Sequence, residues 1–176
     1  DNFFATIYIR LVQPSFIHEY FYLFFGTETY GVKVDESRVD KNEYKLIPGH
    51  DYVKDPTIHI GDDSEACWIY AKVENGIADI EATSGTDMED GGKYVTIVDQ
   101  MIANGWSVGD GSIYAYKTTV SQGADVVIFN EFMVSGAASA DELAANAEDT
   151  IVVTAYAIQA DGFDTAADAW DKAGLE

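Results

Sequence analysis

The chain has 176 residues, 47% of them hydrophobic and 13% aromatic, which excludes an intrinsically disordered protein and leaves enough apolar mass for a proper core. A formal net charge of −21 excludes the basic patches that nucleic acid or anionic lipid would need. The one cysteine, Cys67, excludes an intrachain disulfide.

The first twenty-five residues are the most apolar stretch, DNFFATIYIRLVQPSFIHEYFYLFF. Arg10, Pro14, His18 and Glu19 interrupt it, so it holds no membrane span of about 18 apolar residues. It also lacks the basic start of a signal peptide. If the protein is exported, Asp1 is expected to be the mature start. Alternation predicts a strand: Phe3, Ala5, Ile7, Ile9 and Leu11 fall on one face, and Asn2, Phe4, Thr6, Tyr8 and Arg10 on the other. Pro14 cannot donate a ladder hydrogen bond and should end it. A second apolar strand is expected near Ile17 to Phe25, stopping at Gly26.

Tyr30, Val32 and Val34 then alternate as a half-exposed strand, and residues 35–45 read as a charged loop. Leu46-Ile47-Pro48-Gly49 is a turn signal. Thr57 to Ile60 is a short strand and Cys67 to Glu74 a clear one. In the latter, Cys67, Ile69, Ala71 and Val73 share one face, and Trp68, Tyr70, Lys72 and Glu74 the other. Cys67 is expected to be an inert core residue. Asn75-Gly76 signals a reversal. Residues 81–92 read as a loop. Tyr94, Ile97, Val98, Met101 and Ile102 have helical spacing, ended by Asn104-Gly105. Ile113 to Thr119 and Asp125 to Val134 read as strands. Ser139 opens a small helix, with Glu142 completing a capping box. Thr150 to Gln159 alternates cleanly as a strand. Asp164 is expected to cap a final amphipathic helix ending near Gly174. About eight strands with two or three short helices between them, and no βαβ alternation, predict an all-β fold: an antiparallel jelly-roll β-sandwich.

The charge is uneven. Residues 1–60 carry 9 acids and 6 bases, whereas residues 61–176 carry 22 acids and 4 bases. The search for catalytic motifs is negative. His18, His50 and His59 form no H-x-x-x-H pair, and neither an HExxH helix nor a G-x-S-x-G elbow occurs. His59 is expected to face solvent from its strand. No enzymatic activity and no cofactor is expected. The acidic turns at Asp62-Asp63, Asp87–Gly92 and Asp110 could hold a structural calcium ion, although none has the spacing of a calcium loop.

Three segments in fixed order resemble the TasA/camelysin family, secreted proteins of Gram-positive bacteria processed by a SipW-type signal peptidase. They are Ile47-Pro48-Gly49 with residues 53–74, residues 105–136, and IVVTAYAIQADGFDTAADAW at residues 151–170. The resemblance covers roughly residues 30–172. It implies a jelly-roll sandwich with inserted helices, export to the extracellular matrix or cell surface, and polymerisation into biofilm fibres. In such fibres the N-terminal strand of one subunit is donated to the sheet of the next. Camelysin was classed as a metallopeptidase, but no zinc-ligand motif carries that activity over to this chain.

The expected organisation is therefore a donor-strand arm over residues 1–12 and one jelly-roll domain over residues 13–176. The interface residues are Phe3, Phe4, Ala5, Ile7, Tyr8, Ile9 and Leu11. The partner is another copy of the chain, together with other matrix components. Alternate apolar plugs suit β-strand addition, each contributing about 1.5–3 kcal/mol when buried. The alternative is a monomeric secreted surface protein, either a metal-dependent peptidase or a carbohydrate-binding module. Trp68, Tyr70, Trp106, Tyr114 and Tyr116 would then line its binding face.

Overall fold

A computed structural model of the chain describes residues 2–10, 22–23, 32–35, 44–62, 64–109 and 112–173. Among these residues strands dominate and all their pairings are antiparallel, as expected for an all-β protein.

The largest unit is a six-stranded sheet. Its centre is the two longest C-terminal and middle strands, β11 (Thr150–Gln159) and β6 (Cys67–Asn75), paired over nine residues from Ile151↔Asn75 to Gln159↔Cys67. Beyond β6 lie β8 (Ile113–Tyr116) and then β7 (Trp106–Val108). On the other side of β11 lie β1 (Asn2–Arg10) and the two-residue β2 (Tyr22–Leu23). A three-stranded sheet runs in the order β3 (Val32–Asp35), β5 (Thr57–Ile60), β9 (Asp125–Val127). A third ladder joins β10 (Glu131–Met133) to β4 (Asp51–Val53). The backbones of β1 and β3 approach within 8 Å, which brings the large sheet against the three-stranded one.

The main core fills the space between these sheets. Ile69, Ala71, Ile151, Val153 and Ala155 come from the large sheet, Ile58, Ile60, Val126 and Phe132 from the smaller ones, and Ile97 and Met101 from helix α1 (Ile97–Ala103). Alternation is the reason: in β11 buried and half-buried residues alternate along the strand, as a pleated strand with one face on a core requires. Cys67 is buried, and burial pushes its thiol up to about 11, so it behaves as an apolar core residue.

The helices match their local signals. Thr96 Oγ1 accepts from Asp99 N at the start of α1, and Asn104 closes its end. Helix α2 (Ala140–Ala145) has a complete capping box between Ser139 and Glu142. In α3 (Ala166–Ala173) the cap is one residue later than the expected Asp164: Thr165 Oγ1 accepts from Asp168 N at 3.1 Å.

One other expectation changes. The strand expected over Asp125 to Val134 is two, β9 and β10, because they pair with different partners. Gln100 holds the backbone between them: its Oε1 accepts from Asn130 N, and its Nε2 donates to Glu131 O. Asn75-Gly76 does turn the chain, since β6 ends at Asn75 and turns follow over residues 76–80. Gly76 N donates to Thr150 O at 2.9 Å, and a Cβ at Gly76 would lie 2.6 Å from that oxygen, so the glycine serves a close approach to β11. The strand expected over Ile17 to Phe25 is described only as Tyr22–Leu23, and the rest of that stretch lies outside the described residues, as does Pro14.

Candidate assembly interface

The N-terminal strand has its whole length set against one neighbour. β1 pairs with β11 over nine residues, from Asn2↔Ile158 to Arg10↔Thr150. On its other side only Ala5 and Thr6 pair, with Leu23 and Tyr22. The register places Phe3 opposite Ala157, Ala5 opposite Ala155, Ile7 opposite Val153 and Ile9 opposite Ile151. Those four β11 side chains are all buried in the main core. Phe4 and Tyr8 sit opposite Tyr156 and Val152, which are half-buried on the reverse face. Six of the seven expected interface residues therefore fall within this one ladder, and Leu11 lies outside the described residues.

The reverse face of the large sheet is covered at one end by α3. Tyr70, Ile158 and Ala169 form a second buried cluster, with Trp68, Tyr156, Phe163 and Trp170 packed around it. Trp170 lies 4.7 Å from the Tyr70 ring and 5.3 Å from that of Tyr156. The Tyr70 hydroxyl donates to Ala166 O at 2.5 Å, and burial raises its pKa. Trp106 is fully buried and donates its indole N–H to Val127 O. Of the five aromatics considered for a binding face, Tyr70, Trp106 and Tyr114 are thus buried and Trp68 lies against α3. They do not form one exposed face.

Several titratable groups among the described residues form pairs. His59 Nδ1 lies 2.5 Å from Asp125 Oδ1 across the β5–β9 ladder, and the pair is exposed. His50 Nδ1 lies 3.1 Å from Glu89 Oε2, and Lys93 Nζ is 2.5 Å from Asp87 Oδ1. Glu81 is a structural acceptor: its Oε1 takes the Tyr94 hydroxyl and Ile97 N, and its Oε2 takes Asn75 Nδ2. Among the described residues no three His, Cys, Asp or Glu side chains gather as a metal site. His18, Asp63 and Asp110 lie outside them. No helix among the described residues is long and apolar enough to cross a membrane.

Compared with protein-family models, with curated proteins and with solved structures, the chain matches none of them. The ladder between β1 and β11 was foreshadowed by the alternation in residues 2–11. Its partner was not, because nothing local links residue 10 to residue 150.

Proposed function

We propose that the chain is a structural subunit of an extracellular filament in which the place of β1 beside β11 is filled by the N-terminal strand of the next copy. The observation that carries this reading is the lopsided pairing of β1: nine residues against β11 and two against β2. A strand held by one long ladder can be supplied by another molecule with the same hydrogen bonds and the same buried row. Head-to-tail donation is heterologous and does not close, so it produces fibres and not a ring of fixed size.

On this reading residues 1–12 are the arm and the remainder is a jelly roll that accepts it. Phe3, Ala5, Ile7, Ile9 and Leu11 are the plugs on one face, with Phe4 and Tyr8 on the other. The subunit needs neither catalytic machinery nor a cofactor. It acts outside the cell, beside other matrix components, and its high negative charge keeps undocked copies soluble.

The test is to delete residues 1–12 and examine the protein by electron microscopy. Full-length protein should form fibres, and the truncated form should stay unpolymerised, with a peptide of residues 1–12 binding it and capping it as a monomer. Unchanged fibres from the truncated form would overturn the reading.

A further inference from the structure

Among the described residues, Asn or Asp precedes glycine at Asn75-Gly76, Asp90-Gly91, Asn104-Gly105 and Asp161-Gly162. Such pairs are chemically labile. A glycine has no Cβ, so its amide nitrogen can reach the preceding side-chain carbonyl carbon and close a five-membered succinimide. The new N–C bond forms as ammonia leaves an Asn, or as water leaves a protonated Asp. Water then opens the ring at either carbonyl and gives Asp or its β-linked isomer, isoaspartate. Starting from Asp, the net change is an isomerisation that needs no oxidant or reductant. In a flexible chain Asn-Gly reacts before Asp-Gly, because a carboxylate must take a proton before water can leave.

The fold reverses that order. Gly76 N donates to Thr150 O at 2.9 Å, while Asn75 Nδ2 donates to Glu81 Oε2 and its Oδ1 accepts from Ile77 N. Gly105 N donates to Ile102 O, and Asn104 Nδ2 to Ile128 O. Both glycines are also packed: a Cβ would lie 2.6 Å from Thr150 O at Gly76 and 3.0 Å from the Tyr116 ring at Gly105. Asp90-Gly91 has more room, but Gly91 N donates to Met88 O, and Asp90 Oδ1 accepts from Gly92 N. At each of these places the nitrogen and the side chain must leave their partners before they can react.

Asp161-Gly162 lacks these restraints. Both residues are exposed, and neither the Asp161 carboxylate nor Gly162 N has a partner among the described residues. Nothing lies within 4 Å of a Cβ built on Gly162. The turn is closed by Phe163 N on Ala160 O at 3.1 Å, a bond that leaves the Gly162 nitrogen and the Asp161 carboxyl free to meet.

We infer that Asp161-Gly162 is the site of spontaneous isoaspartate formation in the folded protein, ahead of both Asn-Gly pairs, and that the isomer loosens α3. Isoaspartate adds a methylene to the main chain between β11 and α3. Just beyond it, Phe163 O accepts from Trp68 Nε1 at 3.5 Å and Ala166 O accepts from the Tyr70 hydroxyl. A longer turn displaces both acceptors from the sheet.

Full-length protein aged near neutral pH at physiological temperature tests this beside the same protein aged in urea. Both are digested and mapped by mass spectrometry with electron-transfer fragmentation, which distinguishes isoaspartate from Asp. In the folded protein isoaspartate should accumulate first at residue 161, with Asn75 and Asn104 still amides. In urea Asn75 and Asn104 should react first. The isomerised folded fraction, separated by chromatography, should lose amide-exchange protection across residues 166–173 while β6 and β11 keep theirs. Aged Asp161→Glu protein, whose ring would have to be six-membered, should keep that protection throughout. Earlier reaction at Asn75, Asp90 or Asn104 in the folded protein, or an intact Asp161 after the unfolded chain has isomerised there, overturns the assignment. Unchanged protection in the isomerised fraction overturns the link to α3.

Discussion

The side-chain amide of Gln100 accepts the backbone N–H of Asn130 at 2.8 Å, and through this bond a helix fixes the bend between two strands thirty residues away. The same amide accepts from Glu131 N and donates to Glu131 O and Val95 O, so all of its polar atoms are used although the residue is only 7% exposed. Gln100→Ala would strand several backbone groups at once. Each buried unsatisfied group costs about 1–3 kcal/mol. The variant should lose about 3 kcal/mol or more by urea denaturation, and a loss below about 1 kcal/mol would show that water takes over these bonds.

Glu131 makes stability depend on pH in a specific direction. Burial first, then the charges of Asp51 and Asp90, holds its carboxyl above its ordinary value of 4.5. The unfolded chain therefore ionises Glu131 more easily than the folded one does. No penalty exists below the ordinary value, and stability is lost as pH rises through the folded one. Glu131→Gln removes the loss. Its midpoint of thermal unfolding should exceed that of the parent near neutral pH, by an amount worth less than about 1 kcal/mol after solvent screening. The difference should vanish in acid, and a constant difference at every pH would assign the effect to packing.

Gly76 is required by its neighbours and not by its own backbone angles. Its substitution by Ala would drive a Cβ to 2.6 Å from Thr150 O and 3.0 Å from Thr150 N. Both are backbone atoms at the junction of β6 and β11. Gly76→Ala should cost about 1–3 kcal/mol, measured by denaturation, and should loosen the start of β11. An unchanged midpoint would mean that the junction yields without strain.

Helix α3 should come loose by itself. Ala169 is its buried residue, and Trp170 provides the contact with Tyr70 and Tyr156. Trp170→Ala should abolish amide-exchange protection across residues 166–173 while β6 and β11 keep theirs. Loss of protection throughout the sheet would instead make the helix part of the cooperative core.

Local patterns in the sequence were reliable where local physics decides. Alternation marked Thr150 to Gln159 as a strand, and Ser139 with Glu142 marked the cap of α2. Errors arose where distant residues decide. Residues 125–134 read as one strand, but Gln100 divides them. Asn75-Gly76 was legible as a turn, but the close approach of its glycine to Thr150 was not. The cover over Trp68 and Tyr70, helix α3, is likewise supplied by residues distant in sequence. For the N-terminal strand the alternation of residues 2–10 was legible, since its spacing is internal to the strand. The choice of β11 as its partner was not, because no turn connects the two.

The meeting of the first strand with the last also has a consequence for biogenesis. Closing so long a loop carries a high entropic cost, and ladders between distant segments form slowly. During synthesis β1 emerges long before β11 exists to receive it. Once made, β11 can zip against β6 while its other edge still presents unpaired backbone groups. Each newly made molecule thus passes through an interval in which β1 and one edge of β11 are both unpaired.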